Sequence, residues 1–145
     1  MNRKSWIKEL KEPGFKLIHI TDVGYETNNI TFKSALLEIN DWSNANKDHL
    51  PIFINIEAKG SGIGDESKFL RFLGFKKSLE FDNQAFYHLD LEIIESIDSD
   101  KLLTAKGLKG RHQTISQKLM IDGLPILNEC TGKVIFILQG ANSYS

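Results

Sequence analysis

Three short, nearly continuous apolar segments constrain the fold of this chain more than any other feature of its sequence. They are rich in β-branched and aromatic residues and comprise residues 15–20, 51–57 and 133–138. A turn-forming residue opens or precedes each segment: Gly14, Pro51 and Gly132. Strands that are apolar on both sides are typical of parallel sheets covered on both faces. The segments therefore predict three parallel β-strands.

Helical patterns lie between these strands. Large apolar residues recur at three- and four-residue spacing from Phe32 to Trp42, which predicts one amphipathic helix with Asn29 or Thr31 as its N-cap. Further helices are predicted at 5–11, 84–97 and 114–120. Strands that alternate with helices indicate an α/β fold. The 145 residues, 41% apolar and 26% charged, suit one globular domain spanning 1–145.

Composition excludes several classes of function. Lys and Arg number 18 against 19 Asp and Glu, and the densest basic cluster, 106–111, is interrupted by glycines and is predicted to be a solvated loop. Nucleic-acid binding is therefore not expected. The single cysteine, Cys130, excludes an intrachain disulfide and is predicted to be a structural thiol in a loop. No apolar run reaches the length of a membrane span, and no signal peptide is recognised, so the chain as written is expected in the cytoplasm.

Polar residues at the carboxyl ends of parallel strands are the candidates for chemistry. His19 lies at the end of the first strand, and Glu57 and Lys59 end the second. Each has a structural alternative: a packed histidine with a satisfied ring, and an ion pair between Glu57 and Lys59. A carboxylate that closes a buried strand is costly unless it is paired or bound to a metal. The glycine-rich loop 60–64 lacks the ending of a nucleotide-binding P-loop.

The remaining histidines, His49, His88 and His112, fall in predicted loops or helix flanks and are expected to face solvent.

Several segments resemble the bacterial calcium-dependent phosphoinositide phospholipase C family. The resemblance spans about 13–138, and its more specific part is an Asp-Trp-Ser run at 41–43 followed by His-x-Pro-Ile at 49–52 and Ile-Glu-x-Lys at 56–59. Weaker similarity covers 13–22, 123–127 and 132–136. The resemblance implies a partial TIM-type (β/α) barrel, about three parallel strands with intervening helices, and a phosphodiesterase that cleaves phosphatidylinositol-type lipids.

The same resemblance implies roles for the candidate residues. His19 matches a catalytic histidine that acts as general acid, Glu57 matches a calcium ligand, and Lys59 is the expected contact to the substrate. The implied cofactor is calcium and the implied partner is a phospholipid headgroup. Family members are usually secreted.

Other parts of the family's site have no match in this sequence. The segment with the first catalytic histidine and the remaining acidic calcium ligands are missing, so the chain is expected to hold half of a site, to bind calcium weakly and to be inactive by itself. Two alternatives stay open: a non-catalytic truncated protein that acts as a binding or assembly partner, and an enzyme that acts on glycerophosphodiesters. Self-association through open sheet edges is also expected.

Overall fold

The computed structural model describes residues 8–17, 27–58, 65, 67–73, 79 and 81–139. A short 3-10 helix spans Lys8–Lys11. The elements that follow are α1 Phe32–Ala45, β1 Ile52–Glu57, α2 Lys68–Phe72, α3 Asn83–Ser96, α4 Ala105–Lys109, α5 Ile115–Asp122, α6 Leu127–Cys130 and β2 Val134–Gln139. No helix among the described residues is long and apolar enough to span a bilayer.

The predicted second and third strands are confirmed as β1 and β2, which pair in parallel with Ile52 opposite Val134 and Glu57 opposite Gln139. Side chains of β1 alternate between a half-buried and an exposed face. The predicted first strand is only partly described: Lys16 forms an isolated antiparallel bridge with Thr31, and 18–20 lie outside the described residues. The structure therefore shows a mixed fold of helices and two parallel strands, and the predicted first strand stays a prediction.

The chain groups into two compact units, one made of Met1–Ile39 with Ala58–Ser96 and the other of Asn40–Glu57 with Ile97–Ser145. In the first unit the buried apolar side chains among the described residues are Phe32, Leu36, Leu89 and Ile93. In the second they are Ile97, Cys130 and Val134. The prediction of one partial-barrel domain over 1–145 stays a prediction.

The predicted helices at 32–42, 84–97 and 114–120 are confirmed with small shifts of their ends. The one predicted at 5–11 is described only from Lys8 to Lys11, as a 3-10 helix, and 5–7 lie outside the described residues. Thr31, rather than Asn29, caps α1, because its hydroxyl oxygen accepts a hydrogen bond from the Ser34 amide at 3.2 Å. Phe32 and Leu36 of the predicted apolar face are buried, but Trp42 is half exposed.

Two local predictions were wrong. Residues Ala105–Lys109 form a short helix rather than a loop, because the Thr104 hydroxyl accepts a hydrogen bond from the Gly107 amide at 3.1 Å and so caps its start. Cys130 is the last residue of α6 and is buried, rather than lying in a loop.

A polar network within the second unit holds the start of β2. The buried ammonium of Lys101 donates hydrogen bonds to the Asn44 side chain and the Asn40 carbonyl, and its nitrogen lies 3.7 Å from a carboxylate oxygen of Asp98. The Asn44 amide in turn donates to Asp98 at 2.9 Å. The Lys101 backbone carbonyl accepts from the Val134 amide at 2.8 Å, which ties the network to the first residue of the strand.

Candidate active site at the carboxyl ends of the strands

The carboxyl ends of β1 and β2 form one polar edge in the second unit. Glu57 lies opposite Gln139 in the parallel register, and alternation along β1 places Asn55 on the same exposed face as Glu57. The Asn55 amide nitrogen donates a hydrogen bond to the side-chain oxygen of Gln139. Asn55, Glu57 and Gln139 are all exposed. The edge therefore presents one carboxylate and two amide groups to solvent.

Glu57 is exposed, and this changes the argument for its functional role. The sequence predicted a carboxylate that closes a buried strand and so needs a partner to offset desolvation. The structure leaves this side chain exposed, so the argument from desolvation does not apply. Glu57 does take part in an interaction within the chain. Its place at the carboxyl end of a parallel strand remains the reason to consider it functional.

His19, Lys59 and the glycine-rich loop 60–64 lie outside the described residues. Asn55 and Gln139 are the residues of this edge that the sequence reasoning missed. The alternation of side chains along a strand could have identified Asn55, since a residue two positions before Glu57 lies on the same face.

The side-chain oxygens of this edge are of the types that calcium binds. Calcium takes oxygen ligands from carboxylates, amide side chains and backbone carbonyls, and this edge offers the first two. In the described part of the chain no group of three or more His, Cys, Asp or Glu side chains is placed to hold a metal ion. A calcium ion takes about six to eight oxygen ligands, so the described donors are too few for a complete site.

His49 was expected to face solvent, and the structure instead places it in a hydrogen-bonded pair at the amino end of β1. Its Nδ1 lies 2.6 Å from the Leu50 carbonyl and its Nε2 lies 2.7 Å from the Ser43 hydroxyl. A carbonyl oxygen only accepts, so Nδ1 carries the proton, and in the neutral ring Nε2 accepts from the serine hydroxyl. Ser43 is fully buried, which excludes it as an accessible nucleophile and makes the pair structural.

His112 was also expected to face solvent, and this was wrong as well. Its side chain is largely buried, and Nε2 lies 2.8 Å from a carboxylate oxygen of Asp122, which also lies 3.5 Å from the Lys118 ammonium. The hydrogen bond from His112 lowers the pKa of Asp122. His88 is exposed on α3, as predicted.

Comparison with known proteins places these features in a family. A family profile described as "Phosphoinositide phospholipase C, Ca2+-dependent" matches residues 2–145. A solved structure of a Ca2+-dependent phosphatidylinositol-specific phospholipase C from Streptomyces antibioticus aligns with a TM-score of 0.55 at 21% identity, covering 79% of this chain. No curated protein sequence matches the chain.

This chain spans 31% of the Streptomyces antibioticus enzyme, and at that level of identity the likeness is one of fold. The profile match, by contrast, extends over nearly the whole sequence. The chain belongs to the Ca2+-dependent phosphoinositide phospholipase C family.

Proposed function

We propose that this chain forms part of a calcium-assisted phosphodiesterase that cleaves phosphatidylinositol-type lipids, on three parallel strands of a TIM-type barrel. The observation that carries the proposal is the polar edge at the carboxyl ends of β1 and β2, where Glu57 and Gln139 are opposite each other. Active sites of barrels form at this end of the strands. Membership of the phospholipase C family supports the reaction class.

In the proposed mechanism His19 is the general acid. A histidine with an ordinary pKa of about 6.5 can hold a proton near neutral pH and release it to the departing diacylglycerol oxygen. Lys59 lies two residues beyond Glu57 in the sequence, and its ammonium would bind a phosphoryl oxygen of the substrate.

Glu57 would hold the calcium ion, with the Asn55 and Gln139 side chains as neighbouring oxygen donors. When bound, calcium offsets the negative charge that builds on the phosphoryl oxygens during cleavage. Because the described carboxylates supply only part of a calcium site, we propose that this chain binds calcium weakly and does not turn over substrate by itself.

The proposal extends to partners. The phosphodiester headgroup of a phospholipid is the substrate class that matches the family. Exposed apolar side chains on the sheet, including Phe53 at 62% and Ile137 at 47% exposure, support self-association of this chain through the sheet.

Calcium binding tests the role of Glu57. Titration of the metal-free chain by calorimetry should give a dissociation constant of about 0.1–1 mM or weaker, and Glu57→Gln should weaken binding further because an amide removes the negative charge. Glu129→Gln, which neutralises an exposed carboxylate on α6, serves as the matched control and should leave binding unchanged. Equal affinity of the wild-type chain and Glu57→Gln would remove Glu57 from the proposed site.

Turnover tests the reaction separately. The 145-residue chain with calcium should release no inositol phosphate from phosphatidylinositol and no product from a glycerophosphodiester. Measurable release that Glu57→Gln and His19→Ala both abolish would show that this chain is active by itself. Release from the glycerophosphodiester alone would reassign the substrate.

A further inference from the structure

Two buried side-chain oxygens of α3 have no hydrogen-bond partner: Glu92 Oε1 and Ser96 Oγ. Within the part of the chain that the structure describes, these are the two buried side-chain nitrogen or oxygen atoms of which this is true. The residues are four positions apart, so they lie on the same face of the helix with Cβ atoms about 5–6 Å apart. Ser96 is 3% exposed. Folded proteins rarely leave a buried polar atom unpaired, so two such atoms on one face indicate something that binds both.

The other carboxylate oxygen of Glu92 holds the turn that leads into the predicted first strand. Oε2 accepts a hydrogen bond from the Phe15 amide at 3.2 Å, across 77 positions of the sequence. The backbone comes this close because Gly14 has no side chain: its φ is +94°, and an added Cβ would lie 3.0 Å from Oε2. Phe15 is also held by Phe32, whose amide donates to the Phe15 carbonyl at 2.9 Å. The position of the Glu92 carboxylate therefore bears directly on the backbone of this turn.

The described residues of this unit supply no donor to Glu92 Oε1. The Lys16 ammonium donates to the carbonyls of Glu12 and Gly14 at 2.8 Å each. The Ser96 hydroxyl does not bond back to the carbonyl one turn earlier, as serines inside helices often do, and such a bond would leave Oε1 unpaired. The two oxygens need a small molecule that both donates and accepts hydrogen bonds.

We propose that one buried water molecule bridges Glu92 Oε1 and Ser96 Oγ and so fixes the carboxylate against the Phe15 amide. A water donates one hydrogen to the carboxylate and bonds to the hydroxyl as donor or acceptor, which pairs both oxygens at once. Buried waters in globular proteins occupy sites of this kind, next to polar groups that the chain leaves unpaired. A calcium ion does not fit, because two oxygens fall far short of the about six to eight that it takes.

The bridge makes Ser96 a positioning residue. Its hydroxyl forms no hydrogen bond with Phe15, and it acts on the Phe15 amide through the water and Glu92. The proposal does not rest on the function proposed above, since these residues belong to the first unit and the polar edge of the sheet belongs to the second.

A crystal structure of the 145-residue chain, at a resolution that shows ordered waters, tests the site directly. We expect one water at about 2.5–3.0 Å from both Glu92 Oε1 and Ser96 Oγ. A dry site, or a direct hydrogen bond between the two side chains, would overturn the proposal.

Hydrogen exchange tests the positioning role in solution. Ser96→Thr keeps the hydroxyl and Ser96→Val replaces it by a methyl group of similar size, so the two variants differ in the hydroxyl alone. The Phe15 amide should exchange about two- to tenfold faster in Ser96→Val than in Ser96→Thr, because the carboxylate that accepts it loses its own support. The Leu17 amide donates to the Ile30 carbonyl at 2.8 Å instead, so it should exchange equally in both variants and is the internal control.

A double-mutant cycle tests whether the two side chains are coupled. Ser96→Ala and Glu92→Leu should show a coupling of at least about threefold in the unfolding equilibrium constant, although the two side chains share no direct hydrogen bond. The control cycle pairs Ser96→Ala with Glu95→Leu, because the Glu95 side chain is 62% exposed and points away from Ser96 on the helix. The losses in the control cycle should be additive.

Two results in solution also contradict the proposal. One is equal exchange of the Phe15 amide in Ser96→Thr and Ser96→Val, with circular dichroism showing that both are folded. The other is additive losses for Ser96→Ala and Glu92→Leu. If Glu92→Leu fails to fold, the exchange comparison still decides, because it leaves Glu92 in place. If Ser96→Val fails to fold, Ser96→Ala and the wild type provide the same comparison.

Discussion

At the scale of single residues, Gly132 lies where no side chain fits. Its φ of +71° lies in the left-handed region, and a Cβ at this position would stand 2.6 Å from the Lys47 carbonyl oxygen. Its amide also donates to the His49 carbonyl at 2.8 Å. The turn before β2 thus brings two backbone segments closer than any side chain allows.

Gly132→Ala should lower the free energy of unfolding by more than about 2 kcal/mol, because it adds a steric overlap with backbone to the cost of a positive φ. Gly123→Ala is the control: its φ is +75° and nothing lies within 4 Å of the added Cβ, so it bears only the conformational cost. Chemical denaturation measures both. Equal losses in the two variants would show that the approach to Lys47 does not constrain Gly132.

The pair formed by Ser43 and His49 belongs to the same scale. Ser43→Ala should lower the free energy of unfolding by about 1–3 kcal/mol, because the half-buried hydrogen bond between the Ser43 hydroxyl and His49 Nε2 is lost. A double-mutant cycle with His49→Leu should give a coupling energy of about 1 kcal/mol. Additive losses in the cycle would mean that the 2.7 Å contact adds nothing to stability.

At the scale of elements, the network around Lys101 connects the end of α1 to the start of β2. The hydrogen bond from the Asn44 amide is the largest cause that lowers the pKa of Asp98, followed by a hydrogen bond from Asn40 and the charge of Lys101. A folded-state pKa below the ordinary value of 3.8 favours folding above that pH. This contribution is lost as the pH falls below 3.8 toward the folded-state value.

Asp98→Asn should therefore reduce the loss of stability that the wild-type chain shows on acidification from pH 5 to below the ordinary aspartate pKa. The variant should also be less stable than the wild type at neutral pH, because the buried Lys101 ammonium loses its carboxylate partner. Urea denaturation across this pH range measures both effects. Asp90→Asn, at an exposed position of α3, is the control. If acidification destabilised Asp98→Asn as steeply as it destabilises the control, Asp98 would not be the source of this acid sensitivity.

At the scale of the whole molecule, the exposed face of the sheet bears on whether chains associate with one another. Phe53 and Ile137 lie on it. Among the described residues β1 pairs with β2 alone, and the other edge of β2 makes only an isolated bridge between Val134 and Leu102. Unpaired strand edges beside exposed apolar side chains favour association between chains.

We expect sedimentation velocity to show species larger than a monomer, in proportions that rise with protein concentration. Phe53→Ser should shift the distribution toward the monomer, whereas the exposed control Ile94→Ser should not. A single monomeric species at every concentration would contradict self-association through the sheet.

Local sequence patterns predicted most of the elements. The apolar segments 51–57 and 133–138 gave β1 and β2, and the spacing of apolar residues gave α1, α3 and α5 within a few residues of their ends. Periodicity predicts these elements because each of them buries one face, so that its apolar residues recur in the sequence at the period of a helix or a strand. The short helices α2, α4 and α6 were missed, because four or five residues carry too little pattern to be distinguished from a loop.

The sequence by itself determined the α/β class, two parallel strands and the family to which the chain belongs. The tertiary structure alone decided that Glu57 is exposed beside Asn55 and Gln139, and that His49 and His112 are bound to Ser43 and Asp122 rather than facing solvent. The physical reason is that hydrogen bonding depends on partners outside the local pattern of one element: Ser43 and His49 are six positions apart, and His112 and Asp122 are ten. Gln139 lies 84 positions from Asn55, and only folding brings the two amides together.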